Sequence, residues 1–517
     1  MKNNAISQEN TTQPAEEMIA LLQAQLLEKD QRIQEKDQRI QTLQHQLHQA
    51  LKARFGRKSE QQDSHQLSLQ FDEALSTPEQ TAIADTDKSI TVPAHTRKKA
   101  GRKPLPADLP RVEVVHDIAE ADKICACGHG LSHITNETSE QLEYIPATVQ
   151  VIVNVRKKYA CKACESTLKV APMPAQILPK TIATPGLLAH IAVSKYDDHL
   201  PLYRQEEILQ RHHIDIARNT LGDWMIRLGQ HVSPLIKLLH HDMLEYDVAF
   251  ADETPLQVLK QPGKTAKQKS YMWVFNGGAP QRQSVIYHYA ASRASEVPLR
   301  FFEDYQGYLH ADGYAGYLPL VATGRIKLVA CFAHIRRKFY AITQSTKTEG
   351  LAHTAMRWIT QLYALEKRSR DEKASPELIQ TLRQEKARPI IEEMQCWLHA
   401  HSLKVPPKSP IGEAIHYALK QWPHFLHYLE DGRLEIDNNR SERAVKPFVI
   451  GRKNWLFAGN HQGAIAGANL LSLIETAKVH GLNPYHYRRY LFTHLPKAKT
   501  LEQLEALLPY HCKSVLA

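Results

Sequence analysis

No stretch of this 517-residue chain approaches the roughly 18 to 20 consecutive apolar residues that a membrane-spanning helix needs, so no membrane partner is expected. Cysteine is scarce, with seven, and Met1 to Gln13 are polar, without the apolar core of a secretory signal. A reducing, cytoplasmic setting is therefore expected, and a disulfide framework is not. Aromatic residues make up only 7% and hydrophobic ones 43%, close to ordinary composition, and the length suggests more than one domain. Positive charge is not lacking. Lys and Arg number 65 against 55 Asp and Glu, a net +10 that favours polyanionic partners without selecting a chemistry.

Proline and glycine are absent from residues 16 to 55, where apolar residues recur every seventh position at Ile19, Leu26, Ile33, Ile40 and Leu47. The segment EKDQRIQ occupies 28 to 34 and again 35 to 41. A narrow apolar stripe needs a partner to cover it, so residues 16–60 read as a coiled coil that makes a homo-oligomer, with a solvated single helix as the alternative. Residues 61–110 read as a linker and basic arm. Their first part carries six acids and one Lys before residue 91, and their end places Arg97, Lys98, Lys99, Arg102 and Lys103 around Gly101, followed by prolines. An extended cationic arm of this kind can follow phosphates or enter a minor groove, although a charge run is also often only solvated.

Cys125 and Cys127, then Cys161 and Cys164, flank the alternating run Val149 to Val155. Two close pairs on either side of a hairpin suit a zinc ribbon over residues 111–175, with structural Zn²⁺ on four thiolates. Cys125-x-Cys127 is one residue short of the usual knuckle, so His129 or His133 is an alternative ligand, and free thiols remain the competing reading. Residues 176–240 look helical, continuous from Pro185 to Gly229. Helices at Leu202–His212 and Arg218–Leu228 there are compatible with a helix-turn-helix-like DNA-binding region in which Arg218 faces the nucleic acid, or with plain helical packing.

Beyond residue 245 the order of elements carries the argument. An apolar strand, Val248 to Ala251, leads to Asp252. A hairpin of Tyr271–Phe275 and Ser284–Tyr289 follows, then a helix near Ala294 to Phe302, the strand Gly307–Ala311 leading to Asp312, the strand Ile326–Cys331 and the helix Phe332–Tyr340. Three antiparallel strands, a helix, a strand, a helix and a strand is the order of an RNase H-like α/β fold, which places acids from its first and fourth strands side by side. Singly, an Asp after a strand is more often a turn or cap; paired in this order, two carboxylates suit Mg²⁺ or Mn²⁺. A third acid is expected after a helical insertion over 342–432, within 433–517, which would also hold the C-terminal helices. Glu435, Asp437 and Glu442 compete for it. Asn438 or Asn439 is expected to cap a helix whose first turn carries Glu442, and an acid on a rigid helix is the better placed, so Glu442 is preferred.

The whole run resembles the DDE transposases of the bacterial insertion sequence 66 family. The resembling segments are Arg54–Glu60, the Arg97–Pro110 arm, the cysteine pairs, Ser194–Arg204, Ala251-Asp-Glu-Thr254, His310-Ala-Asp-Gly-Tyr314, Cys331–Lys338, Asp437-Asn-Asn439 with Glu442-Arg443, and Gly451–Phe457. The resemblance implies a multidomain DNA transposase acting on double-stranded DNA through Asp252, Asp312 and a Glu, the one of the Asn-Asn-x-x-Glu-Arg run. It also implies a zinc-binding domain, from whose commoner cysteine spacing the Cys125 pair departs. The catalytic core would occupy 241–341 and resume at 433. His334, Arg336 and Arg337, with Arg443, Arg452 and Lys453, are candidates to hold phosphates, or else solvated helix faces. Accessory proteins of the same element are possible partners, and a cytoplasmic, nucleoid-associated location is expected. The competing readings are a nuclease or resolvase on the same fold, and a zinc-containing DNA-binding regulator without catalysis.

Overall fold

The structure is a computed structural model and describes residues 149–160, 168–345 and 348–516, with a few positions between 28 and 43. Most of the heptad repeat, the arm Arg97–Lys103, and Cys125, Cys127, Cys161 and Cys164 lie outside the described residues. The positions described within 28–43, Ile40 and Leu43 among them, are helical and exposed. The chain divides into two compact units, residues 59–155 and the remainder, and the elements below belong to the second. No helix among the described residues is long and apolar enough to cross a membrane.

The first elements are a short antiparallel pair, β1 (Lys158–Ala160) and β2 (Leu168–Val170). The strand expected at Val149–Val155 does not form there, and those residues are exposed. Alternation makes a strand only where a second strand pairs it, and here pairing begins at Lys158. Four helices follow: α1 (Pro185–Tyr196), α2 (Leu202–Gln210), α3 (Arg218–His231) and α4 (Ser233–Leu244). Thr184 caps α1 by accepting the Leu187 N–H at 3.3 Å, with Pro185 in the first helical position. The continuous helix expected here breaks between Asp197 and Pro201, where His199 takes φ +60°. Residues 211–217 join α2 to α3, longer than the about three- to four-residue turn of a helix-turn-helix.

Gly229 does not end α3, as its glycine suggests, but lies inside it. A Cβ there would sit 2.4 Å from the backbone of Ala466. Ala466 belongs to α13 (His461–Val479), a helix rich in small residues that packs directly on α3, and Asn469 Nδ2 donates to the Gly229 carbonyl at 3.0 Å. Gly229 is thus a close-approach residue, a use of glycine that a single sequence does not separate from a helix stop.

The central sheet contains β3 (Val248–Lys260), β4 (Lys269–Gly277), β5 (Ser284–Ala290), β6 (Gly307–Ala311), β7 (Ile326–Ala330) and β8 (Ala458–Asn460). Its order is β5-β4-β3-β6-β7, with β8 also on β3. The β3–β4 and β4–β5 pairs are antiparallel; β3–β6, β6–β7 and β3–β8 are parallel. The helix α5 (Glu296–Phe301) links β5 to β6, and α6 (Leu318–Val321) links β6 to β7. Strand alternation divides the core into two layers. Ala249, Ala251, Leu309 and Leu328 face the layer with α1, α3, α4 and α13. Val248, Phe250 and Val329 face the other, built from α7 (Phe332–Thr343), α8 (Leu351–Asp371), α10 (Arg388–Ser402) and α11 (Pro410–Phe425), with the exposed α9 (Pro376–Leu382) beside them. The helices of 342–432 therefore share a core with the sheet and form its second cover.

The outer edge of β5 is closed by side chains of α13. Ser472 Oγ accepts the Tyr287 N–H at 2.8 Å and Thr476 Oγ1 accepts the Val285 N–H at 3.1 Å. The two hydroxyls also lie on the Tyr287 and Val285 carbonyls. The fit is geometric: four residues of helix rise about 6 Å, close to the rise of two residues of strand. An edge that would otherwise invite another strand is thereby satisfied.

The contact at Gly229 sets a test. Gly229→Ala should destabilise the fold by about 1–3 kcal/mol, because a well-packed helix pair must separate to admit the methyl group. Gly222→Ala, also within α3, meets only Leu202 Cδ1 at 3.9 Å and should be neutral or stabilising by about 0.5–1 kcal/mol. Thermal melts of the two variants check this, and equal melting temperatures would remove the close-approach explanation.

Candidate active site

Parallel pairing between β3 and β6 stops at Phe250 and His310, which stand in register and stack with ring centroids 4.4 Å apart. Asp252 and Asp312 each lie two residues further on, so strand periodicity carries both onto the face of that pair, beyond its end. The His310 ring is fully buried and pushed down to about 3 by burial, so it remains neutral beneath the acids. The sequence reading ended the first strand at Asp252; the structure continues it to Lys260. The ladder to β4 persists on one side, with Asp252 opposite Val274, while on the other side the neighbour changes from β6 to β8 at Val258.

The gap this leaves along β3 is covered by α12 (Asn439–Trp455). Asn438 Nδ2 donates to the Ala251 carbonyl at 2.9 Å, and Arg452 donates to Thr254 Oγ1 at 3.0 Å and to the Pro255 carbonyl. Asn438 does occupy the cap position of α12, but its side chain makes no cap bond; its amide Nδ2 is instead held on β3. With α12 held there, Glu442 falls in the first helical turn. Burial, then the charges of Glu253, Asp312 and Glu442, push the Asp252 carboxyl up to about 7, against the N–H that Glu253 donates to it at 2.8 Å. Asp312 is fixed by the Tyr314 N–H, which donates to its Oδ1 at 2.9 Å.

The competing acids sit differently. Asp437 accepts from the Asn439 backbone at 3.1 Å, from Asn439 Nδ2 at 2.7 Å and from Tyr363 Oη at 3.3 Å, so its oxygens are used in the turn before α12. Burial raises Glu435, and the nearby Arg440 and Arg443 oppose this. Of the predicted cations, His334 Nε2 and Arg337 each come to 3.9 Å from Glu442 Oε1. Arg336 is half-buried on α7, Arg443 and Lys453 are exposed on α12, and Arg218 is exposed at the start of α3. Arg452 is engaged on β3, as above.

Glu253 was not singled out from the sequence. It is next to Asp252 on a strand and so points to the opposite face, where its side chain is 1% exposed. Arg293 Nε donates to it at 2.7 Å and Tyr317 Oη at 2.6 Å, while the Arg293 guanidinium lies 3.6 Å from the Tyr314 ring centroid. The loop that carries Asp312 is thus tied to β3 through a second acid, paired with Arg293. The Sγ of Cys331, the residue after β7, lies within 4.8 Å of ligand atoms of His334 and Glu442. Its buried thiol is pushed up to about 12 and accepts the Asn438 N–H at 3.2 Å, so it anchors the approach to α12 and does not supply a thiolate. The adjacent Asp-Glu in Ala251-Asp-Glu-Thr254 was the one signal available for Glu253; nothing local marked Cys331.

Burial first, and then the charges of Glu253, Asp312 and Glu442, raise Asp252, an environment that a divalent cation would relieve. The described fold is a mixed sheet between two helical layers, and similarity to known sequences is specific. The chain matches the family model described as Transposase IS66 family over residues 180–466. It also matches Transposase C of IS166 homeodomain over 42–114, zinc-finger binding domain of transposase IS66 over 122–165, and IS66 C-terminal element over 472–510. Uncharacterized protein y4jD of Sinorhizobium fredii is 33% identical over 470 residues, covering 87% of this chain and 90% of that one. Uncharacterized protein y4qI of the same organism is 31% identical over 465 residues, covering 87% and 84%. The chain belongs to the IS66 family of transposases.

The raised Asp252 has a measurable consequence. In the unfolded chain an Asp titrates near about 3.9, so between that pH and about 7 the native state holds a proton the unfolded state has lost, and stability falls as pH rises through this window. Asp252→Asn should therefore melt above the unsubstituted chain at pH 8 without divalent cations, with the difference shrinking towards pH 5. Mn²⁺ should raise the melting temperature of the unsubstituted chain at pH 8 and leave that of the variant nearly unchanged; identical melting curves at pH 8 would count against carboxylate repulsion.

Proposed function

We propose that this transposase binds the ends of its insertion sequence and catalyses metal-dependent strand cleavage and strand transfer with Asp252, Asp312 and Glu442. The observation that supports the reading is that the charges of Asp312, in the turn after β6, and of Glu442, in the first turn of α12, act on Asp252 where β3 and β6 part. The strand order, three antiparallel strands followed by two parallel ones on the first, supports an RNase H-like core. The domain limits proposed are those of the sequence reading, with the catalytic core in 241–341 and 433–517.

The three carboxylates would hold Mg²⁺ or Mn²⁺, which supplies charge stabilisation for the attacking and leaving oxygens of an in-line phosphoryl transfer. The chain's own residues do the rest. The Glu253–Arg293–Tyr317 contacts hold the Asp312 loop against β3, and Asn438 and Arg452 hold Glu442 at the same place. Arg337 and His334, on the flank of Glu442, meet the phosphates next to the one being cut, and the exposed Arg443 and Lys453 extend that cationic surface along α12. Hydrolysis frees a 3′-hydroxyl, and the same displacement with that hydroxyl as nucleophile joins it to target DNA. Residues 16–60 would pair two chains, and Cys125, Cys127, Cys161 and Cys164 would hold a structural Zn²⁺, a reading supported by the zinc-finger match over 122–165.

Asp252→Asn, Asp312→Asn and Glu442→Gln should each abolish Mg²⁺-dependent cleavage of terminal-repeat DNA while leaving DNA affinity within a few-fold, since the amides keep the shape and remove the charge. Glu435→Gln and Asp437→Asn serve as comparison, and a dead Glu435→Gln beside an active Glu442→Gln would show the wrong acid has been chosen. For the zinc module, about one zinc ion per chain should co-purify, and Cys161→Ser should release it and unfold residues 111–175 locally, because metal binding is the main folding free energy of such modules. Elemental analysis of a reduced, chelator-free preparation decides this, and absence of zinc removes the module.

A further inference from the structure

A cleft of about 410 Å³ lies between α7 and α11. His334, Arg337 and Lys338 give it a cationic wall, and Ala341, Pro410 and Ala414 an apolar one. Tyr417 joins the two, with Lys338 Nζ 4.7 Å from its ring centroid. The cleft borders the carboxylates twice. Arg337 and His334 come to 3.9 Å from Glu442 Oε1, and the Tyr417 hydroxyl is packed so closely on Gly313, next to Asp312, that an added Cβ there would meet it at 2.9 Å. Glu413, the acid of the lining, is exposed in the first turn of α11, where the helix terminus favours its charge.

Size and chemistry together select the occupant. The volume falls in the range of small-ligand sites, about 300–1,000 Å³. A DNA duplex, whose major groove alone is about 12 Å wide, is far too broad to enter. One nucleotide combines an anionic phosphate with a flat π-face, and the cleft sets cations beside an aromatic ring and an apolar wall. We infer that the cleft receives one unpaired deoxynucleotide of the strand being cut, next to the scissile phosphate, with its phosphate at Arg337 and Lys338 and its base against Tyr417 and the apolar wall. The inference rests on the carboxylate reading of the active site. Entry requires the nucleotide to leave its pair, a cost that stacking on Tyr417 offsets and that is lowest where the DNA is already unpaired.

The test uses the full chain and two DNA probes with the terminal sequence of the insertion sequence, one paired throughout and one mismatched at the cleavage point. Affinities are read by fluorescence anisotropy without divalent cations. The unsubstituted chain should bind the mismatched probe about tenfold more tightly. Tyr417→Ala and Lys338→Ala should each remove that preference while keeping affinity for the paired probe within a few-fold, and Tyr417→Phe should retain it. Equal affinity of the unsubstituted chain for both probes overturns the inference, as does a preference that survives Tyr417→Ala and Lys338→Ala. Should Tyr417→Ala fail to fold, the exposed Lys338 carries the test. Mg²⁺-dependent cleavage of the paired probe is measured separately: cleavage without the binding preference defeats the cleft alone, and the preference without cleavage defeats the carboxylate reading alone.

Discussion

The structure turns on the interrupted pairing of one strand. β3 is hydrogen-bonded to β4 along most of its length, but its other edge passes from β6 to β8 with a gap between Phe250 and Val258. A continuous sheet would place a neighbouring strand beside Asp252. Here a helix, α12, takes that place, while β4 keeps the backbone of Asp252 rigid. Backbone groups left bare by the gap need partners, and α12 supplies them through Asn438 and Arg452, which is the same act that delivers Glu442.

Helices do the work of strands at one outer edge of this sheet and at the gap along its central strand. Ser472 and Thr476 close β5, and α12 closes the middle of β3. The helix at the gap is supported from further out. Arg383, buried in the second layer, pairs with Glu366 at 2.8 Å and donates to the carbonyls of Tyr428, Asp431 and Leu434. A buried ion pair of this kind is weak evidence for stability, but its bonds fix the chain that leads from α11 into α12. The helices of 342–432 thus cover one face of the sheet, set the entry to α12, and provide one wall of the cleft beside Glu442.

Much of this order was legible in the residues. The apolar runs at Val248, Tyr271, Ser284, Gly307 and Ile326 formed strands close to where their patterns placed them, because strands buried on both faces read as short apolar runs between turn residues. The errors share a cause. Gly229 looked like a helix end and is a contact with Ala466; Asn438 stands at the expected cap position, but its side chain bonds Ala251 and not the helix; Asp252 looked like a strand end and is mid-strand. In each, the local signal was real, and a partner far along the chain took the residue for another use.

Composition, periodicity and motif order alone determined the strand and helix sequence of the core, the two Asp positions and the family, because these depend on short-range pattern and on residues that stand in a particular order. Tertiary structure decided that Asp252 is buried and feels the charges of Asp312 and Glu442, that Glu253 pairs with Arg293 on the opposite face, and that Cys331 and Arg452 bond to the scaffold. It also decided that a cleft opens beside Glu442 and Asp312. Those properties depend on contacts between segments one to two hundred residues apart, such as Asn438 on Ala251 and Arg452 on Thr254, and on the burial those contacts create. No local pattern encodes a desolvated carboxylate, because its charge environment is set by residues that meet only when the chain is folded.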